Sequence, residues 1–463
     1  QLTTQPIDHS TNQLFPMATD APHILLVNPW IHDFAAYDFW AKPLGLLTLA
    51  AVLRRQGFLV TYIDCLDRFH PEAPAQNPTD RCGRGPYHKT RLPTPAVFSD
   101  VPRRYSRYGI LPDWLEQDLA AAPRPDLILV GSMMTYWYPG VQETMSVLRR
   151  RYPDVPILLG GVYATLCPEH ACRAVGADRI VPGPGEGTIA QVAGEMTGWP
   201  VQPDPVLEDL DVLPPPALDL QRTIGYVPLL TTRGCPYRCP YCASFLLEKR
   251  RLRRSVESVV EEIRRWHQDF QVIDFVFYDD ALLLDAEIHA IPLLTALAEA
   301  GLPVRFHTPN ALHVRAVTEP VARLMHRAGF ATLRLGLETA GRKQRRMDQK
   351  TSEAEFKKAV AALRRAGFSA ESIGIYLLAG LPGQSLEAVL AAVEAVRQAG
   401  VRPIPAYYSP IPGTDLWPEA RRCSRYDLDS DPLYTNNAVL PCWPVFSWPA
   451  VSKIKAAAGG PVN

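Results

Sequence analysis

The chain has 463 residues, 47% hydrophobic and 21% charged, enough for two or three domains with substantial cores. Lysine plus arginine and aspartate plus glutamate each number 48, for a formal net charge of +0, which excludes the broad basic field that holds a nucleic acid. No apolar run is long enough to span a bilayer, and no secretory leader pattern stands at the start, so a cytoplasmic location is expected.

From residue 23 the chain alternates strand-like and helix-like segments, after a polar tail over 1–22. HILLVNP reads as a buried strand, PLGLLTLAAVLRRQG as a helix with a glycine stop, and LVTYID as a second strand. The stretch 65–112, rich in proline, glycine, arginine and tyrosine, reads as a long irregular insertion. DLILVGS, PILLGG and DRIVPG then supply three more strands, with helices at PGVQETMSVLRRRY, near 167–174 and at GEGTIAQVAGEMTG. This alternation predicts an α/β domain over 23–198, with a doubly wound parallel sheet of the flavodoxin type.

Residues 199–222, with Pro214, Pro215 and Pro216, read as a linker. Six strand–helix units follow over 223–410, beginning with VPLLTT, VIDFVFYD, VRFHTP, TLRLGLE, SIGIYLLAG and RPIPAYYSP. Six units predict a partial (β/α)6 barrel, whose chemistry gathers at the carboxyl ends of its strands. Residues 411–463 change in pattern and are expected to cap the barrel mouth, with one helix near 450–458. Tyr434, Trp443 and Trp448 in that cap are candidates for substrate contact and equally good core residues.

The most informative run is TTRGCPYRCPYCAS, directly after the first barrel strand, carrying Cys235, Cys239 and Cys242. Thiolates are the preferred ligands of iron–sulfur clusters. Three of them leave one iron of a 4Fe–4S cubane without a protein ligand. A zinc site of three thiolates needs a histidine as well, and the nearest downstream is His267. The remaining cysteines (Cys65, Cys82, Cys167, Cys172, Cys423 and Cys442) follow no regular framework, which fits a reducing compartment.

The C-x3-C-x2-C spacing, with Tyr241 before the last cysteine, resembles the radical S-adenosylmethionine (SAM) superfamily. The resemblance implies that SAM chelates the open iron and is cleaved to a 5′-deoxyadenosyl radical, with an electron from an external donor such as flavodoxin or ferredoxin. It implies SAM contacts at Tyr241, at Asp279 or Asp280 for the ammonium, at Asn310 for the carboxylate or ribose, and at Glu338 for the ribose. Gly380, in AGLPGQS, would stand beside the adenine. Each has a plainer reading. Paired aspartates at a strand end also cap helices, a charge in a buried strand needs a partner, and Gly380 and Gly383 also suit a turn.

The domain order and the runs LGLLTLAAVLRRQGF, SMMTYWYPG, LLGGVYATLCPEHA and PGPGEGT resemble the cobalamin-dependent branch of that superfamily. The resemblance implies cobalamin held by the loops carrying Lys42, Leu44, Gly45, Ser132, Thr135, Gly160, Gly161, Val162, Gly183, Gly185 and Glu186. Glycines there allow close backbone approach to a flat ligand. Lys42 stands where cobalt-ligating relatives carry histidine, and a protonated lysine is a poor metal ligand, so no histidine is expected on the lower face. His32 and His70 are the available substitutes.

The implied activity is methyl transfer to an unactivated carbon, or less often phosphorus, through the 5′-deoxyadenosyl radical and methylcobalamin. The substrate would be a small molecule or peptide. The alternatives are a radical cyclase or rearrangement enzyme using cobalamin without methyl transfer, and a cobalamin-binding sensor. A sensor has no need of the cysteine triad.

Overall fold

The computed structural model describes residues 20–203, 209–338, 352–443 and 447–459. All but the last three residues of the expected tail at 1–22 lie outside them. In the first domain five parallel strands run in the order Leu59–Asp64, His23–Asn28, Leu127–Val130, Ile157–Gly160 and Arg179–Val181. His23–Asn28 is buried along its whole length, as a central parallel strand covered on both faces must be. Ile24, Leu26, Leu127 and Leu129 face the helices Leu44–Arg55 and Ile189–Thr197. Their neighbours Leu25, Val27, Ile128 and Val130 face Pro112–Ala121 and Tyr138–Arg151. The order reverses direction between His23–Asn28 and Leu127–Val130, so a crevice opens there at the carboxyl ends.

The insertion at 65–112 is more regular than its composition predicts. Lys89–Arg91 and Ser106–Tyr108 pair antiparallel and add Ile31–Asp33 to form a three-stranded sheet. Proline and glycine mark the bends around these short strands, and long-range pairing supplies the ladder. Gly109 shows the constraint: at φ 119° it lies where a Cβ would stand 2.0 Å from the Cys65 carbonyl oxygen.

The linker is also more ordered than expected. Of its described parts, 199–203 and 209–222, the second packs along Leu44–Arg55. The Ala217 amide donates to the Leu47 carbonyl at 3.0 Å, and Arg54 pairs with Asp219 at 2.7 Å.

In the second domain six parallel strands follow one another in chain order: Val227–Leu229, Asp274–Phe277, Arg305–His307, Phe330–Glu338, Ile373–Ala379 and Arg402–Tyr407. Leu312–His313 adds a short parallel pairing to Phe330–Glu338. The outer helices are amphipathic and their starts are capped. Ser255, Thr318, Ser352 and Ser385 each accept a backbone amide from the first turn. Trp266, Phe275, Phe277 and Phe306 fill the layer between strands and helices.

Six strands leave the barrel open on one side, and the first domain enters through that gap. Trp40 stacks on His307 inside the lumen, ring centroids 4.8 Å apart and 26° from parallel. Its indole donates to the Cys82 carbonyl at 2.8 Å, and Arg84 lies over its other side, 4.5 Å from the ring. His307 and Arg305 both bond Asp274 at 2.8 Å below the plug.

The carboxyl-terminal segment joins the two domains. Asn436 donates to Asp33 at 2.9 Å, Arg425 pairs with Asp100 at 2.8 Å, and the Leu416 amide donates to the Pro240 carbonyl at 2.8 Å. Trp40→Ala would empty the centre of this seam. It is expected to lower stability by about 3–5 kcal/mol, read as a lower midpoint of urea unfolding, with the far-UV spectrum retained.

Candidate active site

The cysteine loop is held by a two-residue antiparallel ribbon, Thr232–Arg233 against Leu252–Arg253. Gly234 makes the turn at φ 78°, where a Cβ would stand 2.1 Å from the Arg250 carbonyl oxygen. Cys239 is buried, and Cys235 and Cys242 are half-buried. The Cys242 amide closes a turn on the Cys239 carbonyl at 3.0 Å, and the Ser244 amide points at the Cys242 sulfur at 3.5 Å. An amide aimed at sulfur favours a thiolate and tunes an iron–sulfur cluster. The loop and its donor set thus fit a cluster held by three cysteines. Tyr241 packs with Leu381, Tyr408 and Leu416, joining the loop to the end of the fifth strand.

The two aspartates after the second strand divide sharply. Asp279 is buried, and its carboxylate accepts the amides and hydroxyls of both Thr231 and Thr232. It braces the strand that carries the cysteines: four of these bonds fall on Oδ1, while Oδ2 shares only the Thr231 amide at 3.2 Å. Asp280 opens to solvent at the barrel mouth, yet the walls crowd it enough to raise its carboxyl pKa, and a hydrogen bond with Ser244 opposes that rise. Through Ser244, Asp280 stands beside Cys242.

Asn310 lies next to them, its amide nitrogen engaged by the carbonyls of Tyr278 at 2.7 Å and Asp279 at 3.3 Å. Its side-chain oxygen remains the acceptor it can offer a ligand. Glu338 ends the fourth strand at φ 59° beside a register shift. A left-handed glutamate there costs about 1–3 kcal/mol, strain of the kind held at binding sites. Gly380 adopts φ 92°, and its amide and that of Leu381 donate to Gln384 at 2.8 and 3.2 Å. Gln384 shapes this turn and was missed by the sequence reading, although it lies within the AGLPGQS run.

In the first domain a cleft of about 960 Å³ opens at the crevice. Leu44, Gly45 and Leu49 wall one side, and Gly131, Ser132, Gly160, Gly161 and Val162 form the floor. Gly183, Gly185 and Glu186 close the end. Gly161 sits at φ 96°, and a Cβ there would stand 2.2 Å from the Ser132 carbonyl oxygen. The Ser132 hydroxyl donates to the Gly160 carbonyl at 2.6 Å and fastens the two loops together. An apolar cleft floored by backbone and glycine fits a flat, apolar group such as the benzimidazole base at the end of cobalamin's nucleotide tail.

Two residues assigned to that cleft lie elsewhere. Thr135 is buried against Thr435, hydroxyl to hydroxyl at 3.1 Å. Lys42 turns away from the cleft, donating to Gln221 at 2.7 Å, because Tyr226 and Tyr278 hold its backbone amide from the barrel side. Neither candidate histidine lines the cleft. His32 bonds Glu143 at 2.7 Å, and His70 stacks on Trp114 at 5.0 Å.

The two sites face each other. Glu186, at the end of the first-domain cleft, forms an ion pair with Arg233, two residues before Cys235. Their side chains are only 6% and 14% exposed. The helix Val162–Leu166 packs on Ser244–Leu247, the helix that follows Cys242. Gly161→Ala places a methyl group where Ser132 stands. Purified after incubation with hydroxocobalamin, the variant is expected to lose the corrinoid absorption bands while its iron content is unchanged.

Comparison with known proteins agrees with this architecture. A B12 binding domain model matches residues 110–193 and a Radical SAM superfamily model matches 229–396. An uncharacterized methyltransferase of Pyrococcus horikoshii is 25% identical over 67% of this chain and 73% of its own. Cytidylyl-2-hydroxyethylphosphonate methyltransferase of Streptomyces wedmorensis is 22% identical over 87% and 82%. The fold is similar to that of the radical S-adenosylmethionine methyltransferase TsrM from Kitasatospora setae, solved with tryptophan substrate and a SAM analog bound. The TM-score is 0.64 at 19% identity, covering 87% of this chain and 76% of that one. One chain thus carries a B12 binding domain and a Radical SAM domain, with the first-domain cleft and the three-cysteine loop joined across one interface.

Proposed function

We propose that the protein is a cobalamin-dependent radical SAM methyltransferase acting on an unactivated carbon of a small molecule or peptide, with phosphorus the less favoured target. The observation that carries this reading is the Glu186–Arg233 bridge, which sets the corrin cleft against the cysteine loop. When bound, the cluster, SAM and cobalamin supply an electron, a hydrogen-abstracting 5′-deoxyadenosyl radical and a transferable methyl group.

The chain's own residues bind and orient. Cys235, Cys239 and Cys242 hold the cluster and leave one iron open. Asp280 accepts the SAM ammonium, the Asn310 side-chain oxygen and Glu338 accept from the ribose, and the turn at Gly380 flanks the adenine with Tyr241. Asp279 keeps the cysteine strand in place by holding Thr231 and Thr232. Gly45, Gly160, Gly161, Val162, Gly183 and Gly185 hold cobalamin, and Ser132 fixes the loops beneath it. The carboxyl-terminal segment covers the mouth and excludes water from the radical.

An external low-potential donor such as flavodoxin or ferredoxin supplies the electron. None of the described cysteines forms a disulfide, which supports a reducing, cytoplasmic setting. Among the described residues no helix is long and apolar enough to cross a membrane.

Anaerobic protein reconstituted with iron, sulfide and hydroxocobalamin, then given SAM and a strong reductant, is expected to form 5′-deoxyadenosine. Cys239→Ala should reduce that yield to background, and an unchanged yield would overturn the cluster assignment. With SAM carrying a deuterated methyl group, the label must appear in the product. Product formed without it would point to cyclisation or rearrangement instead.

Asp280→Asn removes the ammonium's counter-charge. It is expected to raise the KM for SAM by about ten-fold or more, with the cluster's absorption spectrum unchanged.

A further inference from the structure

A second cavity, of about 860 Å³, lies beside the corrin cleft, between the loop before Leu44–Arg55, the insertion and the end of the linker. Asn28 and Pro43 line both spaces. Its walls carry charges of both signs, most of them matched. Arg68 pairs with Asp38 at 3.2 Å, and Arg222 pairs with Asp67 at 2.8 Å and Asp118 at 2.5 Å.

Two charges in the wall are not matched. The Lys42 ammonium donates to the neutral Gln221 and lies 4.7 Å over the Tyr226 ring, with no carboxylate at ion-pair distance. Asp64 accepts from the Asn28 amide at 2.7 Å and from the Leu66 backbone at 2.9 Å, with no cation at ion-pair distance. The Tyr62 hydroxyl is buried, lines the same space and lies close enough to Asp64 to interact with its carboxylate.

The electrostatics agree with this geometry. Opposite charges in contact hold each other ionised. Here burial lowers Lys42 to about 8 and raises Asp64 to about 6, both toward neutrality. The cavity sets a half-buried cation and a half-buried anion apart, and Asp38 and Asp64 attract Lys42 only from beyond ion-pair distance.

We infer that this cavity binds the charged end of an amino acid, its carboxylate at Lys42 and Gln221 and its ammonium at Asp64 and Tyr62. A zwitterion supplies both missing partners at once, where a simple anion or cation would leave one charge buried and unmatched. The inference rests on the methyltransferase reading and names its substrate class: an α-amino acid, or a molecule ending in one, anchored beside the corrin cleft.

The test is equilibrium dialysis of the cluster- and cobalamin-loaded protein against an equimolar pool of the twenty common amino acids, without SAM or reductant, read by mass spectrometry. One or a few amino acids should be retained near one equivalent. Their N-acetyl and methyl-ester derivatives should bind about ten-fold or more weakly. Lys42→Met should weaken the free amino acid but leave its methyl ester unchanged, and Asp64→Asn should do the same for free and N-acetylated forms. The derivatives make the same test on the unaltered protein, should a variant fail to fold. No retention by the loaded protein overturns the inference, as does retention that ignores both derivatives. Retention only before cobalamin is loaded would assign the cavity to the corrin and overturn it too. Absent retention with normal 5′-deoxyadenosine formation removes this inference alone. Normal retention without SAM cleavage removes the methyltransferase reading instead.

Discussion

The structure turns on one buried ion pair, Arg233 with Glu186. Each ion loses several kcal/mol of hydration on burial, which only close pairing recovers. The pair therefore forms where the ends of the two sheets meet and holds them there. Arg233 belongs to the ribbon that lifts the cysteine loop, and Glu186 to the loop that closes the first-domain cleft. A shift of either domain would separate them and strand a charge away from water. The cleft of the first domain and the cysteine loop of the second are thereby held side by side.

A second constraint follows from the strand count. Among the described residues the first and last of the six parallel strands, Val227–Leu229 and Arg402–Tyr407, do not pair with each other, so the lumen has an open flank. Trp40 and the segment around Cys82 fill its lower part and leave the mouth free. The plug is also the floor of the polar cavity, because Asp38 beside Trp40 pairs with Arg68 in its wall. The loop before Leu44–Arg55 and the insertion together thus plug the barrel and shape a chamber between domains. Trp40 holds φ 70° to do this, a conformation that bulky side chains rarely adopt, and the surrounding stack and hydrogen bonds offset its cost.

Glu338, Gly161, Gly234 and Gly380 take positive φ at strand ends or loop turns, as residues in ordinary turns elsewhere in the chain also do. At Gly161 and Gly234 a side chain would strike a backbone carbonyl, so these loops require glycine for close packing of main chain on main chain. The helices outside the barrel carry capped starts and regular apolar faces. Regularity there supports irregularity at the mouth.

Much of this was legible in the residues themselves. Apolar runs of strand length, helical periodicity with glycine stops and the ordered repetition of units determine a doubly wound sheet followed by a six-unit barrel, because those signals are local. The cysteine spacing is local too, since one loop carries all three thiols. Direction and partnership were not legible. Asp279 and Asp280 are neighbours in sequence, but successive side chains of an extended segment point opposite ways; only the packed first strand decides which one is engaged by Thr231 and Thr232. Thr135 meets Thr435 across 300 residues. Lys42 is turned by two tyrosines from another domain, and the insertion becomes a sheet because Ile31–Asp33 lies alongside it. Such contacts arise only when distant segments are brought together, so the tertiary structure alone decided which polar groups face a ligand and which hold the scaffold.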